Sequence, residues 1–98
     1  MDIREEFEWD EAKANGNLAK HGVPFSYATR VFLDDELIDI DVSRTADGES
    51  RRKIVGVIEG RLYSVVYTRR AGRIRLISAR RCNATEEKHY GPLHTRPE

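Results

Sequence analysis

Seven arginines and no acid fall within residues 61–81: Arg61, Arg69, Arg70, Arg73, Arg75, Arg80 and Arg81. Guanidinium presents a planar fork of donors that matches phosphate, whereas lysine acts as a point charge. The densest spot is Arg80-Arg81, which closes a strand-like stretch two residues before Asn83. An asparagine there can cap a helix, and Glu86 at its third position completes a capping box. Adjacent fork donors, free backbone N–H groups and a helix dipole together favour an anion, which points to the phosphates of RNA or DNA. The competing reading is a solvated charged strand whose arginines pair with Glu59, Glu86 and Glu87. Lys20 and His21 carry a similar ambiguity. Either could serve a phosphate or move a proton, and either could simply complement the dipole at a helix C-terminus. Cys82 lies beside Arg80, Arg81 and a helix start, an environment expected to lower a thiol pKa.

The charge total hides this asymmetry. The 98 residues hold 17 basic and 17 acidic side chains, yet residues 1–60 sum to −6, residues 61–81 to +7 and residues 82–98 to −1. A net charge of zero therefore does not exclude a polyanion. A single cysteine excludes a disulfide within the chain and a multi-cysteine zinc site, and His21, His89 and His94 show no ligand spacing, so no metal or cofactor is expected. No apolar run reaches the roughly 20 residues of a membrane span, and Met1–Glu6 lacks the apolar stretch of a signal peptide. A cytoplasmic protein without membrane contact is expected. The length fits one domain over 1–98, ordered from about residue 3 to 91, with a loose tail from Leu93.

The elements that must position these residues follow from periodicity and punctuation. Asp10 is an N-cap, with Trp9 before it placed to staple onto Ala14, and Glu11–His21 reads as helix ending at Gly22. Val23-Pro24 turns the chain. Phe25, Ala28, Val31 and Phe32 then keep helical spacing up to Asp34-Asp35. From Leu37 the period becomes two. Strands are expected over 37–42, 52–58, 62–68 and 73–81, joined by a polar loop over 44–50 and by turns at Glu59-Gly60 and at Arg70-Ala71-Gly72. Strict alternation in the last strand sets Ile74, Leu76, Ser78 and Arg80 against Arg73, Arg75, Ile77, Ala79 and Arg81. Strand twist and the following cap are expected to bring Arg80 and Arg81 to one rim. The expected architecture is α+β: two N-terminal helices packed on a four-stranded antiparallel meander, then a short helix from Asn83 to about Tyr90. Phe7–Trp9 could add a short edge strand.

The sequence resembles the BrnT toxins of type II toxin–antitoxin systems. Phe7-Glu8-Trp9-Asp10, Lys13, Asn17, Lys20-His21-Gly22-Val23, Phe25, Ala28 and Val31-Phe32 look like the N-terminal signature of that family. Ile77-Ser78-Ala79-Arg80-Arg81, with Glu86 and Tyr90, looks like its C-terminal one. The sequence departs from the pattern at Pro24, where a serine is common, and at Glu49-Ser50-Arg51, where the pattern reads Glu-Glu-Arg. The resemblance implies a RelE/ParE-like fold and a ribonuclease that inhibits translation. It also implies a BrnA-like antitoxin that neutralises the toxin in a heterotetramer or larger assembly and carries operator DNA binding.

A metal-independent endoribonuclease needs a base for the ribose 2′-OH, cations for the charge that develops on the phosphate, and an acid for the leaving 5′-oxygen. Arg80 and Arg81 are the first choices for the cations. Arg51 and Arg61 come next, as strand-end residues that could approach the same rim. Glu86 is read either as base or acid or as a cap that holds Arg80 or Arg81, and His21 is the titratable alternative. Lys20, Arg73, Arg75 and Tyr90 complete the expected RNA contacts, Tyr90 by packing or by stacking on a base. The alternative function is a non-catalytic protein-binding subunit that acts through its antitoxin in transcriptional autoregulation. An antitoxin segment, basic or amphipathic, is expected against the acidic stretch Asp34, Asp35, Glu36, Asp39 and Asp41 with Ile38 and Ile40, or against the arginine rim.

Overall fold

A computed structural model describes residues 6–44, 46 and 48–91 of the chain. The ordering expected for residues 3–5, the looseness expected from Leu93, and parts of the 44–50 loop lie outside them. The chain runs β1 (Phe7–Glu8), α1 (Glu11–His21), α2 (Phe25–Ala28), a 3₁₀ segment (Thr29–Leu33), β2 (Ile38–Asp41), β3 (Arg52–Ile58), β4 (Arg61–Arg70), β5 (Arg73–Arg81) and α3 (Ala84–Tyr90).

The sheet has five strands in the order β1-β5-β4-β3-β2. Strands β2 to β5 form the antiparallel meander, and β1 adds a parallel edge beside β5. The sheet is thus mixed, not the four-stranded antiparallel one expected. The two hairpins are tight because Glu59-Gly60 and Ala71-Gly72 all take positive φ, between 52° and 80°. That backbone matches the twist of two-residue hairpin turns.

Local signals explain the helices. Asp10 accepts from the Lys13 N–H at 3.0 Å, and Gly22 closes α1 in the left-handed conformation at φ 72°. The second helix is shorter than its apolar spacing suggests. Pro24 offers no side-chain cap, and after one α turn the segment tightens to 3₁₀. Its residues Phe25, Ala28 and Val31 pack on Ile54, Ile58, Tyr63, Val65, Tyr67, Ile74, Leu76 and Ala79, which form the helix-facing side of the sheet. Gly56 lets the 3₁₀ segment approach. A Cβ there would meet the Cβ and the carbonyl oxygen of Val31 at 3.1 Å.

The last strand departs from strict alternation. Val66 pairs with Ser78 and Tyr67 with Leu76, so Ile77 is an extra residue, a β-bulge. The bulge reverses the parity beyond it. Ile74, Leu76 and Ala79 all face the helices, while Arg75, Ser78 and Arg80 face the other side. Adjacent strand residues point to opposite faces with or without a bulge. The bulge decides which face each takes, so Arg81, opposite Tyr63, lies on the helix-facing side and Arg80 on the other, and the two do not meet at one rim.

β1 pairs only with Ile74 and Arg75, which leaves the outer edge of β5 uncovered further along. Asn17, buried in α1, takes the place of a strand there. Its amide nitrogen donates to the Ala79 carbonyl at 2.8 Å and to the Val23 carbonyl at 3.1 Å, and its oxygen accepts the Ala79 N–H at 3.1 Å. Asn17→Ala strips partners from three buried backbone groups, and each such loss costs about 1–3 kcal/mol. Urea denaturation is expected to show a loss of about 2–4 kcal/mol, with the slope against denaturant unchanged.

Candidate functional site

Arg70, Arg73 and Arg75 of the arginine block pair with acids from the first half of the chain. Arg73 meets Glu6 at 3.1 Å and Glu8 at 3.7 Å, Arg75 meets Glu8 at 3.1 Å, and Arg70 meets Glu49 at 3.5 Å. Arg73 and Arg75, expected to touch RNA, stitch β1 to β5. The acidic stretch is also used internally. Asp34 accepts from the Val57 N–H and the Tyr90 hydroxyl, and Asp39 accepts from Arg52 and the Tyr67 hydroxyl. Asp34 is half-buried by these contacts, while Asp39 stays exposed despite them. Tyr90 clips α3 to the start of the β2 side through a 2.6 Å bond to Asp34, which fits the packing role of the two expected for it.

Glu86 is the centre of the face away from α1. Asn83 caps α3, and the reciprocal bond from the Asn83 N–H brings the Glu86 carboxylate inward. Oε1 accepts from Arg80 at 2.9 Å and from the Asn83 N–H at 3.0 Å, and Oε2 accepts from Arg80 and from Lys53, each at 2.8 Å. Four donors fill the acceptor sites of a carboxylate. Burial alone would raise its pKa, but the bonds from Arg80, Lys53 and the Asn83 backbone outweigh it and hold the carboxyl down to about 2. A saturated carboxylate that is only 4% exposed is no general base. Arg80, expected as a phosphate ligand, has both terminal nitrogens on Glu86 and acts as a buttress. Lys53, the third partner, carries no local motif; only the sheet register reveals it.

Burial, reinforced by the Glu86 carboxylate, outweighs Arg80 and pushes the Cys82 thiol up to about 12, opposite to the expected lowering. The Glu59 carboxylate, which takes the Tyr27 hydroxyl at 2.6 Å, likewise pushes that phenol up to about 12.

The remaining expected residues separate into two places. Arg81 is exposed, and its guanidinium lies 5.8 Å from the centroid of the Tyr63 ring. Arg61 is exposed on β4, two residues from Tyr63, which pairs with Arg81. Such diagonal neighbours lie about 7–8 Å apart. Neither Arg61 nor Arg81 has a carboxylate partner among the described residues. Asn17 fixes both Val23 and Ala79, so the exposed Lys20-His21 end of α1 is tied to the same end of β5. Arg51 does not join them. Arg52 pairs with Tyr67 and Tyr67 with Leu76, which sets Arg51 level with Arg75, toward the other end of the sheet. No three His, Cys, Asp or Glu side chains among the described residues are grouped to hold a metal ion. No helix among them is long and apolar enough to cross a membrane.

A family model described as the ribonuclease toxin BrnT of type II toxin–antitoxin systems matches residues 9–86, and the chain belongs to that family. No curated protein matches the chain.

The depressed Glu86 carboxyl makes stability depend on pH in a defined direction. Its folded pKa lies below the ordinary 4.5, so its contribution is complete above about pH 4.5 and is lost as pH falls toward about 2. The stabilisation is about 3 kcal/mol at 1.4 kcal/mol per unit. Unfolding free energy measured from pH 7 to pH 2 is expected to fall more steeply in the native chain than in Glu86→Gln. The two curves converge at the acid end.

Proposed function

We propose that the protein is a metal-independent endoribonuclease toxin that cleaves RNA and thereby inhibits translation. The family description supports the activity, and the observation that carries the site is the exposed Arg81, without a carboxylate partner among the described residues, held over Tyr63 beside Arg61. Both guanidiniums are exposed and without a carboxylate partner among the described residues, which suits them to a scissile phosphate. The Glu86–Arg80–Lys53 cluster beneath the sheet fixes the strand end that carries Arg81, so the positive charge is in place before the substrate arrives. His21 is the group at that end suited to take the 2′-OH proton or to protonate the leaving 5′-oxygen, and Lys20 supplies further charge. Attack of the 2′-oxygen on phosphorus breaks the P–O5′ bond and leaves a 2′,3′-cyclic phosphate and a 5′-hydroxyl.

Membership of a type II family implies an antitoxin. We take the partner to be BrnA-like, in a cytoplasmic heterotetramer or larger complex, covering the Arg61–Arg81 rim by occlusion and binding operator DNA itself. The extensive pairing of the arginine block favours a second reading, in which the chain is a binding subunit without catalysis. Incubating the purified chain with RNA and EDTA separates the two, because only the enzyme yields cyclic-phosphate ends.

Arg81→Ala and Arg61→Ala are each expected to lower the cleavage rate roughly 10- to 100-fold while the melting temperature stays near that of the native chain. Arg80→Ala is expected to lower the melting temperature instead, because it strands a buried carboxylate. Arg52→Ala, in the opposite half of the sheet, should change the cleavage rate less than twofold. Equal losses in all four would mean that the arginines act as a diffuse field.

A further inference from the structure

A second cationic place lies toward the end of the sheet away from Arg81. A cleft of about 170 Å³ opens between the start of α1, the β5 bulge and the ends of β3 and β4. Lys13, Arg51, Arg70 and Arg75 line it, with Asp10 and Glu49 as its acids. Asp10 is committed to the α1 cap, and Arg75 to Glu8. The Arg51 Nε is buried and has no hydrogen-bond partner among the described residues. Among the described residues it has Glu49 Oε2 at 3.7 Å, while Glu49 Oε1 stands 3.5 Å from Arg70. These distances are long for charge-assisted bonds, which close at about 2.7–2.9 Å. Glu49 thus holds both guanidiniums only loosely, Arg70 by a single long hydrogen bond and Arg51 Nε by none. An isolated buried donor of this kind is uncommon in folded proteins and calls for an explanation.

We propose that this cleft is a binding subsite for a backbone phosphate of the RNA strand whose scissile phosphate lies at Arg61 and Arg81. The subsite rests on the ribonuclease reading for the identity of its ligand. The chemistry is that of a phosphodiester. Arg51 donates through Nε and a terminal nitrogen, Arg70 supplies a second fork, Lys13 adds a point charge, and the positive end of the α1 dipole faces the same space. Glu49 is a resident anion that the phosphate displaces. The cleft is too small for a folded nucleic-acid element but admits one phosphate group. Arg75 lies six residues from Arg81 along β5, roughly 20 Å at about 3.3 Å per residue. A trinucleotide cannot span that distance, and a strand of about a dozen nucleotides can.

The test uses the full chain and 2′-O-methyl RNA, which lacks the attacking hydroxyl and so reports binding alone. Fluorescence anisotropy compares a 12-mer with a trinucleotide over a range of salt. Arg51→Ala and Lys13→Ala are each expected to weaken the 12-mer roughly tenfold. Each should also reduce the slope of log affinity against log salt by about 0.7, the loss of one single-strand phosphate contact. Trinucleotide binding should not change. Arg70→Ala, an exposed hairpin residue with little bearing on folding, should behave like Arg51→Ala. Glu49→Gln should tighten the 12-mer severalfold, a direction that a merely structural Glu49 would not produce. A wild-type salt slope in the arginine and lysine variants, weaker binding in Glu49→Gln, or an equal loss with the trinucleotide overturns the subsite. The two readings fail separately. A native chain that binds the 12-mer with the expected variant pattern but leaves unmodified RNA uncut keeps the subsite and removes the reaction. A chain that cuts RNA while Arg51→Ala binds normally keeps the reaction and removes the subsite.

Discussion

The architecture depends on how one bare strand edge is covered. β1 pairs with two residues of β5 and stops, and beyond it the N–H and C=O of Ala79 would face outward without partners. Asn17 supplies both partners from a single amide and also holds the Val23 carbonyl where α1 gives way to α2. An asparagine in a helix interior is otherwise a poor choice, since its side chain competes for backbone groups. Here that tendency is directed to a strand, so α1 lies on β5 at one height only. The Lys20-His21 corner, the Arg81 end of β5 and the first turn of α2 inherit their relative positions from those three bonds.

Much of the fold was legible in the sequence because its determinants are local. Asp10, Gly22 and the Asn83–Glu86 box mark helix ends through bonds spanning a few residues, and Glu59-Gly60 and Ala71-Gly72 mark hairpins through backbone φ. The bulge was not legible, since no residue type demands it: Ile77 suits a regular strand as well as a bulged one. Its effect is large all the same. A one-residue change of register exchanges the faces of everything beyond it. That shift sends Arg80 beneath α3 and leaves Arg81 over Tyr63. An edge strand at Phe7–Glu8 was within reach of the sequence, but its parallel pairing with β5 was hidden for a related reason. A two-residue strand has almost no period, and its pairing with β5 is held by Arg73 and Arg75 reaching Glu6 and Glu8 across more than sixty positions of sequence.

The candidate site was half legible. Residue type identified the cations, but which of them are free is a tertiary property. The zero net charge of the chain is realised as contacts, with the negative first half of the sequence folding onto the arginine-rich strands. Glu86 shows how this reshapes a chemical reading. Its spacing from Asn83 correctly indicates a cap, and that same cap turns the carboxylate onto Arg80 and Lys53, where four bonds remove it from acid–base chemistry. A charged group buried with all its partners is a structural element, and losing one partner is what makes it costly.

The two acids that touch the arginine block from opposite ends of the sheet are therefore not equivalent. The Glu86 side chain is 5% exposed, and its four bonds measure 2.8–3.0 Å. The Glu49 side chain is 36% exposed and stands 3.5–3.7 Å from its guanidiniums. A ligand phosphate competing for Arg80 would have to break a bidentate pair and strand Lys53 as well. A phosphate competing for Arg51 or Arg70 would meet a solvated carboxylate that has formed no short bond, and exposed pairs of that kind are worth about 1 kcal/mol or less. The same electrostatics that lock Arg80 thus leave Arg51 and Arg70 open to exchange. Which of its arginines an anion could recruit depends less on where they are than on how tightly the protein's own carboxylates hold them.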